Sequence, residues 1–379
     1  MTPLQSTLAD LIRINSVNSF YADGPGEGQL ADYVARFFAR LGVPTTRQAV
    51  FPGRDNVVAR LPGRNAKRRV ILEAHMDTVS VQGMTIAPFE PRIEAGRMYG
   101  RGSCDTKAGL AAMMHAMADV HLSGTTPPCE VWLAAVVDEE YSFRGVVKLC
   151  EGLTGAAALV AEPTDMRAVV ASKGVLRWRM VSHGVAAHSS KTHLGVNAIN
   201  HMARVILALE QEHQRLASAS GHPLLGPASG NVGRIEGGVQ VNFVPDRCGI
   251  EIDRRLLPNE DVADVLNQYQ QLLDRLRKSD PTFNVHMEAP MLVDGCLDTP
   301  IDGDAARLSS QLLTELGLSG ELGGVPFGSD ASKLSKAGIP SLIIGPGNID
   351  QAHAAVEWVD LDQVAAAHEF YRLFITRFE

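Results

Sequence analysis

The sequence predicts an α/β fold with a smaller α+β domain of ferredoxin-like pattern inserted into it. Short apolar runs bounded by turn residues alternate with helical stretches at both ends of the chain, as buried strands and helices do in layered α/β proteins. The middle of the chain changes texture to alternating strands and two long amphipathic helices.

Residues 4–14 have helix-like apolar spacing, and 27–41 form a second amphipathic helix stopped by Gly42. Apolar runs at 56–60, 69–74, 131–137, 156–161 and 341–344 read as buried strands. The Ala- and Met-rich stretch 106–121 reads as a helix that is apolar around most of its circumference. In the middle, 173–183 alternates like a strand with an exposed face, and 196–216 is a long helix. Strands at 231–237, 240–243 and 247–254, a helix at 261–278 and a strand at 283–287 complete a strand–helix–strand–strand–helix–strand order. The expected organisation is therefore a first domain in two pieces, 1–170 and 290–379, and an inserted domain at 171–289.

A chain of 379 residues can bury a large core, and 45% hydrophobic with 21% charged residues is ordinary globular composition. A net charge of −8 disfavours nucleic acid and anionic membranes as partners. The first residues lack a basic start followed by an apolar run, so no signal peptide is expected. No stretch approaches the roughly 18 apolar residues of a membrane span. The five cysteines, Cys104, Cys129, Cys150, Cys248 and Cys296, are odd in number and scattered without CxxC spacing, which points to reduced thiols and a cytoplasmic setting. Cys104 lies beside Asp105, but the neighbouring chemistry is carboxylate and imidazole.

Three of the apolar runs end in charged residues. The first leads into His75-Met76-Asp77, the second into Asp138-Glu139-Glu140, and the third into Glu162-Pro163-Thr164. Carboxyl ends of strands in α/β sheets are where sites form. His75 and Asp77 are two apart, so on a strand they face one side, and the Asp77 carboxylate can take the imidazole N–H. The glycine-rich loop at 99–107 brings Asp105 to a helix start, where an N-cap is the common alternative role. Each feature alone is ordinary. Together they crowd acids and a histidine with no adjacent basic residue, and crowded carboxylates in a cleft call for protons or cations.

The segments AHMDTV (74–79), YGRGSCDTKAGLAAM (99–113), VVDEE (136–140), AEPT (161–164) and GPGNIDQAH (345–353) resemble a known set. They are similar to the co-catalytic zinc family of acetylornithine deacetylase, succinyl-diaminopimelate desuccinylase, aminoacylase and glutamate carboxypeptidase. The resemblance covers essentially the whole chain. It implies a three-layer zinc-exopeptidase-like catalytic domain with an inserted dimerisation or lid domain. It also implies two divalent metal ions, zinc or alternatively cobalt or manganese. His75 and Glu162 would bind one ion, Glu140 and His353 the other, and Asp105 both. Glu139 would be the general base and Asp77 would orient His75. Only the resemblance divides Glu139 from Glu140, and His353, one of 12 histidines, rests mainly on it too.

In the inserted domain, the resemblance implies that His188 reaches the active site of a partner subunit, with His183 an exposed strand residue. Arg255 and Asn242 would hold a substrate carboxylate, Arg255 through paired hydrogen bonds. Arg254 is the competing arginine, and Lys173 is a further candidate that could equally be a solvated strand lysine. Gly328–Ala331 would shape the pocket wall, with Asp330 a helix cap. The implied protein is a cytoplasmic homodimer acting on a small N-acyl amino acid or short peptide, with acetylornithine deacetylase-like activity foremost. A desuccinylase or dipeptidase/carboxypeptidase is the alternative. A non-catalytic dimeric binding protein is the remote one, which loss of a ligand or of Glu139 would have favoured. The stretch 353–357 lacks the acidic residue that usually precedes Glu357 in such relatives.

Overall fold

Thr2 starts the first helix, Pro3–Arg13, because its hydroxyl accepts the Gln5 N–H while the Gln5 side chain takes the Thr2 N–H at 3.0 Å. This reciprocal cap satisfies donors that a helix start otherwise leaves open. The next helix, Gly28–Arg40, buries Leu30, Ala31, Val34 and Phe38 along one stripe, as its periodicity predicts. The computed structural model describes all residues, Met1–Glu379.

The chain divides into two compact units, the first comprising Met1–Ala171, Asp298–Gly324 and Ser329–Glu379. The second comprises Ser172–Leu297 with Val325–Gly328. The inserted segment therefore runs past the expected boundary at 289. Strands Val285–Met287 and Leu292–Asp294 both pair with Gly174–His183, so the chain stays with that sheet until Leu297.

In the first unit, four neighbouring strands are parallel, in the order Cys129–Val136, Asn65–His75, Ala157–Val160 and Ser341–Ile343. Antiparallel strands Arg54–Leu61 and Thr45–Phe51 extend the sheet on one side, and Val169–Ser172 continues it on the other. The central strands are buried on both faces, which is why they read as continuous apolar runs. Helix Lys107–Leu122 is buried around nearly its whole circumference and packs on helix Leu361–Arg377. Gly109 lets it approach the sheet, since a β-carbon there would lie 2.5 Å from that of Ala161.

The second unit is an antiparallel sheet ordered Ser229–Gly237, Arg247–Leu256, Gly174–His183, Val285–Met287. With helices Ala198–Ala217 and Val262–Ser279 between strands, this is the ferredoxin-like arrangement of two split β-α-β units. Trp178, Met180, Ile250 and Ile252 from the sheet and Met202, Leu209 and Leu273 from the helices form its core. The expectation of a strand with one exposed face at 173–183 holds for Gly174–His183. Leu176, Trp178 and Met180 face the core of this unit, while exposed Arg177, partly buried Arg179 and exposed His183 alternate with them on the other face. The strand expected at 240–243 shrinks to Phe243–Val244, paired with Ala187–His188.

Candidate metal centre

The carboxyl ends of the four parallel strands deliver the acids and histidines to one edge of the first unit. His75 ends Asn65–His75, Glu139 and Glu140 follow Cys129–Val136, and Glu162 follows Ala157–Val160. His353 follows Ser341–Ile343 after the short 3-10 turn Ile349–Gln351, and its φ is 57°. Asp105 closes the glycine-rich loop just before the helix, whose N-cap residue is Thr106. Asp105 is therefore not the cap.

The residues gather into two clusters, His75–Asp105–Glu162 and Asp105–Glu140–His353, with the donor atoms of each within 4.8 Å of one another. Asp105 belongs to both. Its Oδ1 is 3.0 Å from His75 Nε2 and its Oδ2 is 3.3 Å from His353 Nε2. Glu162 Oε1 lies 4.0 Å from His75 Nε2, and Glu140 Oε1 lies 3.2 Å from His353 Nε2. His75, Asp105 and Glu162 are buried, whereas His353 is exposed. His75 and His353 are the only ionic partners of Asp105, Glu140 and Glu162, and no lysine or arginine neutralises the three.

The electrostatics follow from this crowding. Burial pushes the Glu139 and Glu162 carboxyls well above the usual range, and neighbouring carboxylates push them further. Burial raises Glu140 as well, with Asp105 adding to it. Burial also works against ionised Asp105, but hydrogen bonds to His353 and His75 outweigh it and hold its carboxyl below the usual range. His353, bonded to Asp105 and Glu140, is pushed up to about 11. The cluster thus attracts positive charge strongly, and imidazole nitrogen with carboxylate oxygen suits zinc, cobalt or manganese. The donor set fits two divalent ions.

Asp77 lies against His75 and also makes contacts that the sequence did not indicate. His75 Nδ1 lies 3.0 Å from the Asp77 backbone carbonyl and 3.6 Å from its Oδ1, so the carbonyl is the nearer acceptor. The Asp77 carboxylate also accepts the Glu139 N–H at 3.1 Å, the Glu140 N–H at 3.0 Å and Asn18 Nδ2 at 2.8 Å. Asn18 also donates to Asp138 Oδ1 at 3.0 Å, and buried Arg54 joins Asp138 to Glu27. None of Asn18, Glu27, Arg54 and Asp138 was legible as a site residue. They lie far apart in sequence, and only the paired acid in Asp138-Glu139-Glu140 hinted at more than surface charge.

Near the centre, Asp330 differs from expectation and Cys104 agrees with it. Asp330 sits at the start of helix Ala331–Lys336 but makes no side-chain cap bond; Ser329 Oγ instead accepts the Ala331 N–H at 3.3 Å. Asp330 is buried beside Glu73, and burial raises it to about 7. The Cys104 thiol lies 3.4 Å from the Asn348 carbonyl and belongs to neither cluster.

The second unit's candidates are placed as follows. His188 is exposed, with Nδ1 at 2.8 Å from Ser190 Oγ, and His183 is exposed and stacked on His286. The Asn242 backbone carbonyl accepts the Ser189 N–H, and its side chain is exposed. Arg255 is partly exposed and bonded to Asp253 at 2.8 Å, while Arg254 is buried and held by Glu260 at 2.5 Å. Lys173 is not the solvated strand lysine considered above, since it is buried and its Nζ donates to the Pro227 carbonyl at 2.5 Å.

Residues 71–377 match the peptidase family M20/M25/M40. The chain belongs to that family. It is an amidohydrolase enzyme, as the family and its named relatives require. Acetylornithine deacetylase of Myxococcus xanthus is 28% identical over 95% of this chain and 93% of its own. Succinyl-diaminopimelate desuccinylase of Corynebacterium glutamicum is 29% identical over 89% of this chain and 88% of its own. N-formyl-4-amino-5-aminomethyl-2-methylpyrimidine deformylase of Halalkalibacterium halodurans is 27% identical over 88% and 84%. Among solved structures, the aminopeptidase PepT of Bacillus cereus superposes with a TM-score of 0.81 at 22% identity, covering 98% of this chain and 97% of that one. The Bacillus subtilis YXEP protein, described as a dinuclear metal-binding M20 peptidase, superposes at 0.76 and 15% identity over 100% and 99%. Both place the fold of this M20 chain. No helix of the M20 chain is long and apolar enough to cross a membrane, and its five cysteines are free thiols.

Proposed function

We propose that this M20 enzyme hydrolyses the amide bond of an N-acyl amino acid, with acetylornithine deacetylase-like activity as the first candidate. The observation that carries the reading is Asp105, which turns one carboxylate oxygen to each of two histidine–glutamate sets. His75, Asp105 and Glu162 would hold one divalent ion and Asp105, Glu140 and His353 the other, with zinc the first choice and cobalt or manganese the alternatives. Two such ions would make a shared water acidic enough to ionise near pH 7 and polarise the scissile carbonyl.

The chain's own residues supply the rest. Glu139 would take a proton from the attacking water and pass it to the leaving amine. Its carboxyl is pushed up by burial and by Glu162, which moves it towards the pH at which a general base works best. Asp77 would orient His75 and hold the Glu139–Glu140 backbone in place. On the inserted unit, His188 would steady the oxyanion in a partner's site, and Arg255 and Asn242 would hold a substrate carboxylate, with Lys173 a lesser candidate now engaged with Pro227.

A homodimer is supported by strand Ser229–Gly237, an edge strand that is exposed for most of its length, and by Val239 and Val241, which are 89% and 101% exposed. Free thiols agree with a cytoplasmic setting. The desuccinylase reading is favoured second by the 29%-identical relative, because the same amide chemistry needs only a longer acyl pocket.

The deciding experiment is a steady-state screen of N-acetyl, N-succinyl and N-formyl amino acids and dipeptides on zinc-loaded enzyme. Turnover of N-acetyl amino acids is expected. Inert amides alongside turnover of an ester or phosphate would overturn the proposal.

A further inference from the structure

Glu357 is fully buried and its carboxylate is surrounded by donors from a single loop. Its Oε1 accepts the backbone N–H of Cys104 at 2.9 Å and of Asp105 at 3.1 Å. Its Oε2 accepts the Gly102 N–H at 3.0 Å and Arg101 Nη1 at 2.7 Å. Arg101 is itself buried and reaches the Ser80 carbonyl at 3.1 Å. The backbone on the Glu357 side is pinned as well, because its carbonyl accepts the Gly100 N–H at 3.1 Å and the Ala355 carbonyl accepts the Thr85 N–H at 3.0 Å.

This arrangement has a chemical requirement. Four donors converge on one side chain, and only an ionised carboxylate offers two oxygens with enough lone pairs to accept them all. Successive backbone N–H groups aimed at one point form an anion-holding concavity, here filled from within the chain. The loop so held ends in Asp105, the one residue shared by both clusters, and Glu357 lies four residues after His353. A single buried carboxylate therefore ties the loop that presents Asp105 to the segment that presents His353.

We infer that Glu357 is a positioning residue that sets Asp105 against His353 and so fixes the spacing of the two clusters. The inference rests on the two-ion reading above. Glu357 touches no reacting atom in it; it acts through the Asp105 amide. The absence of an acidic residue at Val356 leaves this role untouched, since all four donors go to Glu357 alone.

The test is cobalt(II) titration of metal-free wild-type enzyme and of Glu357→Gln, read by visible absorption, with circular dichroism to show that each is folded. Glutamine keeps the size but has one acceptor oxygen, so it can satisfy only one half of the donor set. Glu357→Gln is expected to lower cobalt affinity by about 10–100-fold, the size typical of lost support around ligands, and to change the cobalt spectrum. Its kcat should fall while KM stays near the wild-type value. Glu357→Asp, which keeps both oxygens but draws them back by one methylene, provides a second reading if the glutamine variant does not fold. Wild-type cobalt affinity and spectrum in a folded variant would overturn the inference, and so would failure of both variants to fold, which would make Glu357 purely structural. Wild-type enzyme that binds no cobalt would instead overturn the two-ion reading itself.

Discussion

The Asp77 carboxylate accepts the backbone N–H of Glu139 at 3.1 Å, so a residue two positions after His75 fixes the backbone of the strand end that carries the paired glutamates. Asp77 is fully buried and also accepts the Glu140 N–H and Asn18. Replacing it with alanine leaves buried donors unmatched, at about 1–3 kcal/mol each. Asp77→Ala should lower the urea unfolding midpoint and reduce kcat by about 10–100-fold, as loss of ligand support does elsewhere. A variant with wild-type kcat would show that the Glu139–Glu140 backbone needs no such anchor.

Glu139 stands outside both clusters although it adjoins Glu140. Glu139→Gln should keep both metal ions by elemental analysis and lose about 10²–10⁴-fold in kcat. Near-normal turnover by metal-replete variant enzyme would remove Glu139 from the role of base.

Asp105 is common to the two clusters, whereas His353 belongs to one. Metal stoichiometry should separate them. His353→Ala is expected to keep close to one ion per chain after dialysis, and Asp105→Ala to keep neither. Equal retention in the two variants would contradict the sharing.

Arg254 and Arg255 are neighbours with opposite surroundings. Arg254 is 1% exposed and paired with Glu260, while Arg255 is partly exposed beside Asp253. Arg254→Ala breaks a largely buried pair and should cost about 3 kcal/mol of stability in a denaturant titration. Arg255→Ala should leave stability within about 1 kcal/mol of wild type, as loss of an exposed pair does, and raise KM for an N-acyl amino acid. The reverse pattern would move the substrate role to Arg254.

Asp280 supplies a pH signature for the inserted unit. Hydrogen bonds from the Thr282 hydroxyl and from Arg204, with the Thr282 N–H, hold its carboxyl down to about 2, below the unfolded value near 4. A folded pKa below the unfolded one contributes stability that is fully present above about pH 4 and is lost as pH falls towards 2. Asp280→Asn should therefore lower the melting temperature at pH 6, and the gap from wild type should narrow steadily between pH 4 and pH 2. A gap independent of pH would show that the charge on Asp280 contributes nothing.

Much of this M20 chain was legible because its periodicities are strong. The central strands are apolar on both faces, and three of them end in charged residues, which together crowd acids and a histidine at one sheet edge. Helix Lys107–Leu122 and the helices of the inserted unit were legible from composition and spacing. The strand Gly174–His183 was legible from its alternation, since Leu176, Trp178 and Met180 enter the core of the inserted unit while Arg177, Arg179 and His183 take the other face. Phe243–Val244 is shorter than the strand its residues suggested and pairs with the two-residue strand Ala187–His188.

By itself the sequence determined the layered α/β class, the inserted ferredoxin-like unit and the placement of His75, Glu140 and Glu162 at strand ends, because hydrophobic period and strand polarity are local properties. Tertiary structure alone decided which side chains meet. It brought His353 beside Glu140 across 213 positions, gave Asp77 the backbone of Glu139 and Glu140 as well as an imidazole, and bonded Glu357 to the Asp105 loop. Contacts of that kind depend on how the strands are ordered and how the loops close over their ends, and neither leaves a periodic trace in the chain.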